Sequence, residues 1–196
     1  MSQSISLGVS GILNYSRLDM KGISGFAPLS VDPTNLSNNG TDDAFGFGAL
    51  VSMQADLGDA TTLSLAYQSK IANTFDDYSG LFVDGGELDI PPRANPGLAY
   101  KMKSGSAVTF DVERIFYEDS DSIGNPSARL FGCMSGDRSQ CLGGSNGAGF
   151  GWNDMTVYKL GFQWQANPAM TCASASAPGT SLSIPRTSPS ISLRLA

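Results

Sequence analysis

Residues 4–16 read Ser4-Ile5-Ser6-Leu7-Gly8-Val9-Ser10-Gly11-Ile12-Leu13-Asn14-Tyr15-Ser16. Ile5, Leu7, Val9, Leu13 and Tyr15 share one parity; Ser4, Ser6, Gly8, Ser10, Asn14 and Ser16 share the other. A strand sends successive side chains to opposite faces, so this rhythm predicts a strand with one apolar face and one small, polar face. The rhythm returns along the chain and predicts strands at 4–18, 43–57, 61–72, 87–102, 106–118 and 153–165. These segments are about twice the usual strand length of about 5–6 residues.

The connectors sort by length. Long polar stretches precede residue 43, run from Asn73 to Gly86, and run from Asp119 to Gly151. Between them fall short turns at Gly58-Asp59, Lys103–Gly105 and Asn167-Pro168. A transmembrane barrel sorts its connectors this way, with short periplasmic turns and long outer loops. Tyr15, Phe116, Tyr117, Trp152 and Trp164 lie near strand ends, where interfacial aromatic girdles fall. The pattern predicts an all-β fold: a transmembrane antiparallel up-and-down β-barrel, here about six or seven strands of a larger barrel, over residues 1–170. A soluble all-β domain that buries its apolar faces against each other is the competing reading.

Composition narrows the function. The 196 residues carry a net charge of −6, with 15% charged and 41% hydrophobic side chains. No basic stripe is present to displace counterions from phosphates, so a nucleic-acid partner is not expected. Histidine is absent. That removes imidazole general bases, Ser-His and Cys-His nucleophile pairs and helical zinc-binding pairs, so no enzyme, cofactor or metal site is expected. No apolar run of 18 residues spans a membrane as a helix.

Cys133 and Cys141 share one Gly/Ser-rich stretch, a spacing that suits a loop disulfide in an oxidising compartment; two unpaired thiols are the alternative. The acidic pairs Asp42-Asp43, Asp76-Asp77 and Asp119 with Asp121 read as solvated loop acids rather than hard-cation sites. The run Gly143–Gly147 lacks the Lys-Ser/Thr ending of a phosphate loop. Asp111, Glu113, Lys159 and Lys101 fall on the polar parity, where they can pair inside a barrel. Arg114 falls on the apolar parity with Val112 and Phe116; it must snorkel at the rim, or a bulge must turn it inward.

Several stretches resemble the outer-membrane transporters of long-chain fatty acids and other hydrophobic compounds (the FadL and TodX type). They are Leu65–Lys70, Phe75–Phe82, Asp89-Ile90-Pro91, Gly97–Tyr100, Asp111-Val112 with Ile115–Tyr117, and Gly149-Phe150-Gly151-Trp152-Asn153-Asp154 followed by Thr156–Gly161. Their order and spacing follow the family over more than half of the chain. The resemblance implies a fourteen-stranded monomeric barrel in a Gram-negative outer membrane. It implies lipid and lipopolysaccharide contacts, and hydrophobic substrate that binds at the outer loops and leaves the lumen sideways. Gate and plug residues cannot be carried over, because the matching positions precede the aligned part. A general porin or structural outer-membrane barrel is the alternative function.

The chain opens without a basic region and apolar stretch of a secretory signal. It therefore reads as a fragment of the C-terminal half, or the product of a damaged gene. Residues 171–196 are Ser/Pro/Ala-rich and read as an irregular tail. Back-translating Thr171–Ile184 and reading two bases later yields Leu-Arg-Val-Gly-Phe, which restores the alternation. A frameshift origin for the tail is the corresponding expectation, with Cys172 then an accident of the wrong frame; a natural low-complexity terminus is the alternative.

Overall fold

In the computed structural model, which describes residues 4–167, 170–177, 179–180 and 190–192, the alternating segments form one antiparallel sheet laid out in chain order. Its strands are β1 (Ile5–Leu18), β2 (Asp42–Asp56), β3 (Thr61–Gln68), β4 (Arg93–Lys101), β5 (Ala107–Ile115), β6 (Met155–Asn167) and β7 (Met170–Ser176). Two short strands follow: β8 (Gly179–Thr180) pairs β6 in the register β7 uses, and β9 (Ser190–Ser192) pairs β7. The up-and-down antiparallel topology is the one the alternation predicts.

Register turns six amphipathic strands into one amphipathic wall. Ile5, Ala55, Leu63, Leu98, Phe110 and Leu160 stand in a single row across β1 to β6. The adjacent row holds Ser6, Gln54, Ser64, Gly97, Asp111 and Lys159. The apolar face is bare: Val9 is 80% exposed, Leu7 78% and Phe47 75%. A soluble monomer does not leave such a surface uncovered, and among the described residues nothing packs over it. The soluble reading, which needs the apolar faces to meet, finds no support.

The apolar band has edges. Arg17 pairs with Asp43 at 2.9 Å and Arg114 with Asp154 at 3.0 Å, both on the apolar parity at the long-loop end. Just inside them lies the aromatic pair Tyr15–Phe45, centroids 4.9 Å apart. From Ile5 to Tyr15 the strand rises about 33 Å at ~3.3 Å per residue. At the usual barrel tilt of about 40° that spans about 25 Å, the height of an outer-membrane apolar band. Arg114 thus needs no bulge. The β5–β6 register is unbroken from Ala107 to Ile115, and Arg114 reaches Thr156 and Asp154 at the rim.

Other boundaries differ from the sequence reading. β1, β2 and β6 are long, but β3 ends at Gln68 and β4 begins only at Arg93. Residues 69–72 and 87–92 alternate like strand yet leave the sheet, with Pro91 and Pro92 marking the re-entry. Pro96 does not shift the register: the pairing of β4 with β5 lapses at Asn95 and Pro96 and resumes in step. β7 lies within the stretch read as an irregular tail; its Ala and Ser residues pair through backbone, which side-chain alternation cannot reveal. The rest of that tail, and Pro168 of the expected Asn167-Pro168 turn, lie outside the described residues apart from Ala177, β8 and β9. The tight turns at the opposite end use Gly58 (φ +83°) and Gly105 (φ +82°) in the left-handed region glycine tolerates.

Placing a charge on each face separates the two. Val51→Lys costs about 2–4 kcal/mol on folding into vesicles, whereas Gln54→Lys, on the polar face, costs below about 1 kcal/mol. Urea titration of the folded protein in lipid, followed by tryptophan fluorescence, reads both values.

Candidate functional site: an apolar cavity in the loop cap

An apolar core cluster sits above the sheet, where the long connectors 19–41, 69–92 and 116–154 pack into a cap. Among the described residues it comprises Ala44, Phe75, Tyr78 and Phe82, with Leu18, Met20, Leu81 and Leu88 against it. Tyr78 is fully buried and ties two connectors together: its hydroxyl donates to the carbonyl of Gly40 and accepts from the amide of Met20 at 2.9 Å. Ser30, itself buried, donates to the Gly80 carbonyl at 2.6 Å.

The third connector closes the cap. Its helix Arg129–Met134 ends beside the turn that carries Cys141, and the Cys133–Cys141 bond holds them at a Cα separation of 4.7 Å. Leu142 then exchanges backbone hydrogen bonds with the first connector, donating to Leu29 and accepting from Val31, both at 2.9 Å. Phe150 and Trp152 follow, fixed by backbone donation to Ser122 at 3.1 Å and Ile123 at 3.0 Å. Trp152 packs edge-on against Tyr117, centroids 5.2 Å apart.

These three segments line a half-open cavity of about 300 Å³. Its walls are Met20, Ile23 and Phe26 from the first connector, Leu81 and Phe82 from the second, and Leu130, Leu142, Ala148, Gly149 and Phe150 from the third. Ser122 is the single hydroxyl in the lining. That oxygen is already engaged, donating to the Glu87 carbonyl and accepting from the Val83 amide at 2.9 Å. The cavity therefore offers mainly van der Waals contact and no free polar side chain. Sequence patterning could not find it, because its walls come from residues up to 130 positions apart without periodicity. The one legible signal was the pair of loop motifs around Tyr78 and Phe150.

No charged side chain lines the cavity. The three connectors carry twelve carboxylates against four basic side chains. Lys70 and the buried Asp89 pair at 2.8 Å; hydrogen bonding to Asp89 holds the Lys70 ammonium above its ordinary range. Burial, then the neighbouring Asp89 and Asp84 charges, push the Glu87 carboxyl upward. Hydrogen bonds from Thr34 and Asn35 hold Asp32 below the carboxylate range. Of the acidic pairs, Asp42 accepts the Asp77 amide at 2.9 Å and Asp43 meets Arg17.

On the polar face of the sheet, Glu113 meets Lys159 at 2.6 Å and Arg93 at 3.5 Å, and Arg93 also donates to Gln68. Asp111 lines a shallow groove with Ser6, Gly8, Ser52, Gln54, Ser64 and Asn95. Lys101 shares this parity at the far end, opposite Ala107.

The fold is that of known hydrocarbon channels. The toluene transporter TodX of Pseudomonas putida matches over 91% of this chain and 52% of its own, at 15% identity and a TM-score of 0.51. The monoaromatic hydrocarbon channel CymD matches over 93% of this chain and 56% of its own, at 14% identity and a TM-score of 0.52. The toluene transporter TbuX of Ralstonia pickettii matches over 91% and 51%, at 13% identity and a TM-score of 0.50. The chain thus spans about half the length of these structures. No protein-family model matches it, and no curated protein does.

Two substitutions probe the cap. Tyr78→Phe strands the Met20 amide and the Gly40 carbonyl, and costs about 1–3 kcal/mol of cap stability, read as faster amide exchange at Leu81 and Phe82. Glu87→Gln acts the other way. A carboxyl raised above 4.5 holds its proton longer in the folded state, so its contribution to stability falls as pH rises past 4.5. The variant protects the cap better than the parent at pH 7, and the difference closes below the ordinary carboxylate range.

Proposed function

We propose that the chain is wall and cap of an outer-membrane channel that carries hydrophobic compounds, and that the cap cavity is where they first bind. The observation that carries this reading is the apolar cavity itself, held by loops above a wall with one apolar and one polar face. A lipid-facing band and rim pairs at Arg17 and Arg114 support insertion in a bilayer. The Cys133–Cys141 bridge suits the oxidising cell exterior.

Of the two substrate classes that the resemblance implies, the cap favours the uncharged one. A long-chain fatty acid brings a carboxylate. Inside the cavity that group finds no charged side chain to pair with, and outside it meets a cap whose carboxylates outnumber its basic side chains twelve to four. An unpaired buried charge costs several kcal/mol. A volume of about 300 Å³ also stands at the small end of ligand pockets, about 300–1,000 Å³. It encloses a compact hydrocarbon ring more completely than an extended acyl chain. The similar folds of the toluene transporters TodX and TbuX and of the monoaromatic hydrocarbon channel CymD agree with that preference.

Fluorescence of Trp152, two residues from the cavity-lining Phe150, tests the site. Toluene is expected to shift the emission saturably, with oleate at least tenfold weaker at neutral pH. Ala148, 5% exposed, is to be replaced by tryptophan to fill the cavity, and Ala148→Trp lowers toluene affinity at least tenfold. Equal, non-saturable response to both ligands, with ion conductance in planar bilayers, points instead to a general porin.

A further inference from the structure

The stretch that left the sheet after Gln68 does not project outward with the rest of the cap. Ser69 is still sheet-like, its amide donating to Ala49 at 2.9 Å. The chain then crosses the polar face of β2 and reaches β1. At Gly48, a Cβ would meet Ile71 at 2.7 Å; at Gly46, it would meet the Ala72 carbonyl oxygen at 2.6 Å. Asn73 accepts from Asn14 of β1 at 3.0 Å. The returning limb lies antiparallel to it, through paired bridges Ile71–Ile90 and Thr74–Glu87.

Position along β2 defines what this two-limbed arm separates. Ala44 belongs to the cap core, Gly46 and Gly48 seat the arm, and Ser52 and Gln54 line the polar groove. The arm therefore stands between the cavity and the groove. Its fastening is asymmetric. The limbs hold each other by backbone bonds at 2.9–3.1 Å between Ile71 and Ile90. The outgoing limb is tied to the returning one by the Lys70 ammonium on Asp89, whose side chain is 3% exposed. Asp89 also accepts from the Asn73 amide at 3.3 Å, and its backbone carbonyl accepts from Ser120 of the third connector.

We infer that the limbs 70–74 and 87–90 are the barrier between the cap cavity and the channel lumen, and that the Lys70–Asp89 pair is its latch. Gly46 and Gly48 are positioning residues, because only a bare backbone lets the arm lie against the wall. The inference rests on the transport reading for its purpose, and on the geometry alone for the barrier.

Two readouts test it separately in the protein reconstituted into bilayers. In Asp89→Asn, exchange of the Ile71, Leu88 and Ile90 amides rises at least tenfold while β1–β2 amides stay protected. Single-channel conductance to potassium chloride in planar bilayers rises at least twofold, and toluene flux into vesicles rises with it. Lys70→Met gives the same pattern and stands in if Asp89→Asn misfolds. A merely structural role lowers both currents instead. Unchanged arm exchange, or a released arm with unchanged or lower conductance, overturns the inference. Raised conductance with no toluene flux in parent or variant leaves the latch standing and overturns the proposed function.

Discussion

Register is the constraint on which everything else in this structure depends. A strand that alternates apolar and polar residues has two faces, but a sheet has two faces only if its strands keep step. A slip of one residue between any pair would set leucines beside serines and mix the surfaces. From β1 to β6 no such slip occurs, and the apolar row through Ile5, Leu63, Phe110 and Leu160 continues across the wall. Even Pro96, which interrupts the ladder, leaves the register unchanged. The two rim arginines sit on the apolar parity because register puts them there, and each is answered by an aspartate at the edge of the band.

The wall has little interior, so the buried apolar residues lie in the cap. Tyr78, Phe75 and Phe82 do there what a core does in a soluble domain, and they leave a cavity where three connectors fail to close. Sheet and cap thus differ in kind: the sheet leaves its apolar face bare, and the loops bury theirs around a cavity. The arm over Gly46 and Gly48 links the two halves, since it is cap by sequence and wall-bound by contact.

Much of the fold was legible in the residues. Alternation over Ser4–Ser16 and the sorted connectors specify β1, β2 and the up-and-down order, because period two is a local property. The same locality hides the end of β3 and the start of β4. Ile71 and Ile90 alternate as strand residues do, and what makes room for Ile71 over the wall is a pair of glycines more than twenty residues upstream. β7 was hidden by its small side chains, which show no contrast between faces. The cavity was illegible as such. Met20, Leu81 and Phe150 carry no shared period, and only the tertiary packing of three loops brings them together.

The central claim is that the alternating wall stands in a bilayer with its apolar parity toward lipid. Nitroxide labels placed one at a time along β2 from Ala49 to Asp56, in vesicles, measure this directly through collision with oxygen and with an aqueous nickel chelate. The account predicts a strict two-residue alternation: oxygen dominates at Val51, Met53 and Ala55, and nickel at Ser52 and Gln54. Equal nickel access on both parities, or oxygen dominance on the serine parity, would contradict it.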